Sequence, residues 1–337
     1  MTFTTTRMQI GLSADPDRVF KALTESEVVC AWFSEHAEID LAAKQYDFWG
    51  KYTPTMPDRS SGKHPIVDCV PGEVLSYRWR VGDHKTQVTF RLHPQQQGTL
   101  LTLRHAADSA GSSAQGVAED FWFLSLENLR RYLDGKPSDA HVDYSSPMRG
   151  YIHHETEIDA PPQRVWDVLT NPNELNRWIA TQANIQLEKD GIYGLGWIQG
   201  DTDYGASKIL DIVPGQKLVL EISPFPGQSP TVVTWEMKEN NGKTWLTFTH
   251  SGFDADQDVS ELHSGWRNFV NWVRSVSEYG AAWYVPVSAL RACYALWISW
   301  FRTAHDGLIL AKHSALKAIP LAIFINIHSV KRYFDLS

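Results

Sequence analysis

Two histidines stand at corresponding ends of two similar strands. His105 closes Leu101-Thr102-Leu103-Arg104-His105, and His250 closes Leu246-Thr247-Phe248-Thr249-His250. Strand alternation puts each imidazole on the face of its apolar neighbours, Leu101 and Leu103 or Leu246 and Phe248. There it could orient a ligand by one hydrogen bond or exchange a proton near neutral pH. The plainer alternative is a strand-end histidine bonded to backbone or water. No cysteine or serine can be placed beside either ring from the sequence, so a nucleophilic mechanism has no support. His153-His154-Glu155 has the right donor types for a metal. Neighbours on a strand face opposite ways, however, and HExxH spacing is absent, so no metal site is expected. Gly194-Leu195-Gly196 reads as a bend in a strand, because no helix follows to make a phosphate site. Cys30, Cys69 and Cys293 are scattered without a CxxC pair and imply neither a disulfide framework nor zinc. None of these groups implies a cofactor.

The elements that must position the histidines occur twice. Ala14-Asp15-Pro16-Asp17-Arg18-Val19-Phe20-Lys21-Ala22-Leu23-Thr24 returns as Ala160-Pro161-Pro162-Gln163-Arg164-Val165-Trp166-Asp167-Val168-Leu169-Thr170, at an offset of 146. The same offset sets Trp32 on Trp178, and Val70-Pro71-Gly72 meets Val213-Pro214-Gly215. A period this long means two whole domains in tandem. Each copy opens with a strand (Phe3 to Leu12; Tyr151 to Ile158), followed by short helices begun by Pro16 or Pro162, the first capped by Asp15. A meander follows, in copy one near Ala37 to Leu41, Tyr46 to Tyr52, Ile66 to Val70, Val74 to Trp79, Gln87 to Leu92 and Thr99 to His105. Asn241-Gly242 marks a hairpin in copy two. A longer helix closes each copy, with Trp122, Leu126, Leu129 and Leu133 on one stripe, and Trp266, Val270, Val273 and Ser277 on the other. The fold class is therefore α+β: two tandem helix-grip domains, each a curved antiparallel sheet wrapped around a long C-terminal helix. The expected bounds are 1–135 and 150–280, with a polar, turn-rich linker at 136–149 and a non-repeating tail at 281–337.

A net charge of −8 argues against nucleic-acid binding. The first residues hold no apolar run fit for a signal peptide, so a cytoplasmic protein is expected. Fourteen tryptophans are far more than usual. They either fill a core or wall a cavity. Inward strand positions and the stripe of the last helix select Trp32, Phe48, Tyr77, Trp79, Phe90, His105 and Trp122 in copy one. In copy two they select Trp178, Trp197, Trp235, Phe248, His250 and Trp266.

Several of these features, met twice in the same order, carry a resemblance. They are the Pro-x-Arg-Val-[Phe/Trp] opening, the tryptophan that follows it, the Val-Pro-Gly turn, the Thr-x-Leu-Thr-[Leu/Phe]-x-His strand and the Trp-opened final helix. Both copies resemble the "activator of Hsp90 ATPase homologue 1-like" domain of the START/Bet v1-like (SRPBCC) superfamily, over roughly residues 5–135 and 150–280. The resemblance implies a helix-grip fold with an internal hydrophobic cavity, in a superfamily whose members bind lipids, hormones or polyketides and occasionally catalyse cyclisation or hydrolysis. Co-chaperone activity accompanies a charged N-terminal domain in eukaryotic members, with no counterpart expected here. Three readings follow: binding of a small hydrophobic ligand in one or both domains, a cyclase-type enzyme using a histidine, or a protein-interaction module.

The tail matches neither copy. From Ala281 to Ser337 it holds six basic and two acidic residues, and Val287, Leu290, Tyr294, Trp297 and Phe301 recur at helical spacing after Pro286. Ala318 to Val330 is uncharged but too short to span a bilayer. The tail is expected to pack on the domains, to meet a partner protein or membrane surface, or to be without a role.

Overall fold

The structure, a computed structural model, describes residues 5–81, 84–107, 112–199, 202–203, 205–222 and 229–284. The first repeat runs β1 (Thr5–Leu12), α1 (Pro16–Thr24), α2 (Ser26–Trp32), β2 (His36–Asp40), β3 (Gln45–Trp49), β4 (Ile66–Val70), β5 (Val74–Val81), β6 (His84–Gln95), β7 (Gly98–Ala107) and α3 (Ser112–Leu133). The second runs β8 (Ile152–Ile158), α4 (Pro162–Thr170), α5 (Pro172–Trp178), β9 (Asn184–Ile185), β10 (Ile192–Gly194), β11 (Ile198–Gln199), β12 (Thr202–Asp203), β13 (Ser207–Val213), β14 (Lys217–Ile222), β15 (Thr231–Asn240), β16 (Lys243–Ser251) and α6 (Ser260–Tyr279). Both are antiparallel. The order is β1-β7-β6-β5-β4 in one and β8-β16-β15-β14-β13-β10-β9 in the other, with β2–β3 and β11–β12 as separate ribbons. The opening strand pairs with the last strand in each case, so the sheet curls and the final helix lies across it.

Local chemistry explains the punctuation. Asp15 Oδ1 accepts from Arg18 N at 2.9 Å and Pro16 fills the first helical position, where its missing N–H costs nothing. The Pro-Gly turns place Gly72 and Gly215 at φ 73° and 72°, as the second central residue of a type II turn requires. Asn241 and Gly242 both have positive φ between the paired residues Asn240 and Lys243, the two-residue hairpin its sequence predicts.

The polar stretch after α3 is no loose tether. Ala140 and Val142 are buried against Leu124, and Asn128 donates to the Ala140 carbonyl at 2.9 Å. The repeats meet through their long helices. Phe123 meets Trp272 edge-on at 5.6 Å, and Arg131 reaches Glu278 at 3.0 Å. Arg131 is wholly buried, and Glu278 is also approached by Lys136 and Arg274. Of the tail, Trp283 and Tyr284 are described. Trp283 is buried, with its Nε1 3.3 Å from both Glu127 carboxylate oxygens, and Tyr284 Oη accepts from Gly11 N at 2.5 Å. The expected helical spacing from Pro286 onward, Cys293 and the uncharged run lie outside the described residues. Among the described residues no helix is long and apolar enough to cross a membrane.

Candidate functional site: the gripped interiors of the two repeats

The thirteen side chains selected from the sequence are all buried. In the first repeat six of them form one aromatic cluster. Trp79 stacks on His105 at 5.1 Å and meets Trp122 edge-on at 5.7 Å. Phe90 meets Trp122 at 5.6 Å, and Phe48 meets Tyr77 and Trp79 at 5.9 and 5.5 Å. Trp32 joins through Phe33, which stacks on Trp122 at 5.7 Å. In the second repeat Trp235, Phe248 and Trp266 pack together, with Phe248 to Trp266 at 4.5 Å. Three tryptophans also act as local ties. The indole N–H of Trp32 donates to Ala22 O, that of Trp178 to Val168 O and that of Trp197 to Ile179 O, at 2.9, 3.1 and 2.9 Å.

His105 and His250 point inward, and each sits in the same three-residue chain. Trp122 Nε1–H donates to His105 Nδ1 at 3.0 Å, and Trp266 Nε1–H to His250 Nδ1 at 2.9 Å. The other ring nitrogen, Nε2, lies 2.7 Å from Thr86 Oγ1 in one repeat and 2.8 Å from Thr231 Oγ1 in the other. Each threonine hydroxyl spends its proton on a backbone carbonyl, Trp79 O at 2.8 Å or Ile222 O at 3.3 Å. Its oxygen must therefore accept, so Nε2 carries the proton and the imidazole is neutral; this tautomer follows from the donor count. Burial pushes the pKa of His105 down to about 4 and that of His250 to about 3. With both nitrogens held by protein, neither ring presents a lone pair or proton to a ligand. The geometry makes them bridges that fasten the long helix to the sheet.

The sequence reading missed Thr86 and Thr231, although each stands nineteen residues before its histidine. A threonine on a strand reads only as β-branched, and nothing local marks it as a partner. It also missed Tyr46, Phe33 and Phe121, and His64 in a stretch rich in turn residues. His64 is wholly buried, with its ring 4.0 Å from that of Phe48. Burial lowers its pKa to about 4, against the smaller opposing pull of the Phe48 and Arg78 carbonyls. Those carbonyls do not close hydrogen bonds. Both His64 ring nitrogens, Tyr77 Oη and Trp79 Nε1 are without a hydrogen-bond partner among the described residues.

His153 and His154 do take opposite faces: His153 is exposed, while His154 is buried with Nε2 3.0 Å from His263 O. Among the described residues no group of three or more His, Cys, Asp or Glu is placed to hold a metal ion.

A long helix gripped by a curled antiparallel sheet, twice in one chain, defines the class of protein. The model of the family "Activator of Hsp90 ATPase homolog 1-like protein" matches residues 13–134 and 159–275. The chain belongs to that family as a tandem of two such domains. No curated protein matches the chain. Among solved structures it is similar to DynU16 from the dynemicin biosynthetic locus, at 18% identity over 81% of this chain and 96% of that one, with a TM-score of 0.32. CalU16 from Micromonospora echinospora is 20% identical over 48% of this chain and 99% of its own, with a TM-score of 0.33. The Aha1 dimer from Colwellia psychrerythraea is 17% identical over 39% and 98%, also with a TM-score of 0.33. None of these similarities carries an activity over to this chain.

Proposed function

We propose that the protein binds a small hydrophobic ligand, a lipid or an aromatic molecule, in the interior of one or both repeats. The observation that supports this reading is the gripped interior itself. In each repeat the long helix and the concave sheet enclose aromatic side chains, with Trp79, Phe90 and Trp122 in one and Trp235, Phe248 and Trp266 in the other. Aromatic faces bury much area and accept a flat apolar guest without a polar penalty. Binding is favoured over turnover because His105 and His250 have both nitrogens engaged and supply no base. The cytoplasm suits the reading, since Cys30 and Cys69 are unpaired thiols.

Native mass spectrometry of the purified chain, followed by organic extraction, tests it. The expected result is a reproducible bound mass that disappears when Trp122 or Trp266 is replaced by a charged residue in a variant that still folds. A clean apo mass after incubation with a mixture of lipids and aromatic compounds would refute it.

A further inference from the structure

The two interiors share their framework but not their chemistry. Strand register aligns them residue by residue. Tyr77 pairs with Val88, which pairs with His105; Leu220 pairs with Val233, which pairs with His250. Trp79 pairs with Thr86, as Ile222 pairs with Thr231. Tyr46 and Tyr193 give a third anchor, since each hydroxyl donates at 2.7 Å to the carbonyl of a matched leucine, Leu23 or Leu169. Counting two residues on, Phe48 of the first repeat corresponds to Leu195 of the second. Where the first interior has Tyr77, Trp79 and Phe48, the second therefore has Leu220, Ile222 and Leu195, all buried aliphatic side chains.

At these matched strand positions it is the first interior that carries unpaired polar groups, although the second has one of its own in Ser277 Oγ on α6. Tyr77 and His64 are wholly buried and Trp79 is 1% exposed, yet Tyr77 Oη, Trp79 Nε1 and both His64 nitrogens find no protein partner among the described residues. The three rings surround Phe48, at centroid distances of 5.9, 5.5 and 4.0 Å. A buried donor left unpaired costs about 1–3 kcal/mol, and an aliphatic residue avoids that cost, as Leu220 and Ile222 do. Indole Nε1–H can only donate, whereas the phenol and the neutral imidazole can donate or accept.

We propose that the first repeat is the binding repeat, that the second is a scaffold of the same shape, and that the ligand is a flat aromatic molecule bearing a hydrogen-bond acceptor such as a carbonyl, received by Trp79 Nε1–H and Tyr77 Oη–H. This inference rests on the ligand-binding reading above and narrows it to one interior and one ligand class. The apolar rings supply the stacking surface, while the unpaired donors select against the bare hydrocarbon. That is how a mostly apolar pocket gains specificity from a few placed polar groups.

Matched probes test it: 9-fluorenone against fluorene, and 1-indanone against indane so that ring size does not decide the outcome. Binding to the full chain is followed by tryptophan fluorescence and by the indole N–H resonances. Each ketone is expected to bind about tenfold more tightly than its hydrocarbon, the worth of one buried hydrogen bond. The ketone should shift the indole resonance of Trp79, assigned by its loss in Trp79→Phe. In Tyr77→Phe the preference should fall severalfold while the hydrocarbon binds as before. Leu220→Tyr in the second repeat should leave all affinities unchanged. Equal binding of ketone and hydrocarbon, an unmoved Trp79 resonance, or binding lost through the second repeat would overturn this inference and leave the general reading intact. If none of the four probes binds and the extract is also empty, both fall.

Discussion

Acidification from pH 7 to 4.5 should unfold this protein, and four buried histidines set most of the effect. His64, His105, His154 and His250 are at most 5% exposed. Burial holds their pKa values at about 4, 4, 2 and 3, all below the ordinary 6.5. Each is neutral when folded, so the unfolded chain takes up the extra proton. The stability it contributes is present above pH 6.5 and is lost as the pH falls toward the folded value. Two units below 6.5 cost about 3 kcal/mol per histidine, or about 11 kcal/mol for the four, and His141 and His263, each lowered to about 4 chiefly by burial, add in the same sense. Asp120 acts in the opposite sense. Its carboxyl, buried between α3 and α6, is raised to about 8, so acidification returns about 3 kcal/mol over the same interval. The net loss of at least about 8 kcal/mol is comparable with the whole stability of an ordinary domain. Urea titrations followed by tryptophan fluorescence at half-unit steps from pH 7.5 to 4 would measure it. A double variant, His105→Asn with His250→Asn, should start less stable at pH 7 but lose about 3 kcal/mol less per pH unit. Stability that stays level between pH 6.5 and 4.5, or a slope unchanged in that variant, would refute the assignment of these rings as neutral bridges.

Other outcomes follow from single contacts. Thr86→Val should cost about 1–3 kcal/mol by stranding His105 Nε2–H, and Thr231→Val should cost the same in the second repeat, both read by urea midpoint. Tyr77→Phe should raise the stability of the unliganded chain by about 1 kcal/mol, since it removes a buried hydroxyl without a partner; a loss instead would mean the hydroxyl is satisfied. Asp120→Asn should stabilise the chain at pH 7.5 by at least about 1 kcal/mol and remove its contribution to the slope between pH 4 and 8, since the folded acid holds its proton across that window. The new amide also supplies a donor near Asn268 Oδ1, which has none. Trp283→Ala should lower the thermal midpoint, at a cost of about 3–5 kcal/mol, by opening a cavity beside Trp272 and removing a donor from Glu127.

Much of the fold is legible because period and punctuation agree. Thr5–Leu12 alternates, Pro71-Gly72 and Asn241-Gly242 turn as their residue types require, and Trp122 with Leu126, Leu129 and Leu133 makes a stripe that the structure buries. The inward aim of His105 and His250 is legible for the same reason. Their occupation is not, because the second partner lies nineteen residues away on a neighbouring strand and only strand register brings it near. His64 is hidden differently: its flanks, Gly62 and Pro65, read as a turn, yet backbone bonds from Tyr46 and Phe48 pull that segment along β3 and bury it. The stretch after α3 misleads by composition. The Pro137 carbonyl accepts from Arg131 and the Ser138 hydroxyl donates to Ala31 O, while Ala140 and Val142 do the packing.

A duplicated chain contains its own control experiment. A feature present in both repeats at matched register serves what both must do, which is to fold. The Trp–His–Thr chain is such a feature: it recurs with hydrogen-bond distances differing by about 0.1 Å, and in both repeats it ties the last strand, its neighbour and the long helix to one imidazole. A neutral histidine suits that task, because it offers one donor and one acceptor on opposite sides of a rigid ring. The aromatic pair Tyr77 and Trp79 has no such counterpart, since Leu220 and Ile222 complete the same sheet at the same register without a polar atom. Folding therefore does not require the donors of the first repeat, and their unpaired burial works against it. Residues that break a local rule which their own duplicate obeys are where a cost in stability is best explained by a task other than folding. By that criterion the interior around Phe48, rather than either conspicuous histidine, is the place to look for what this protein does.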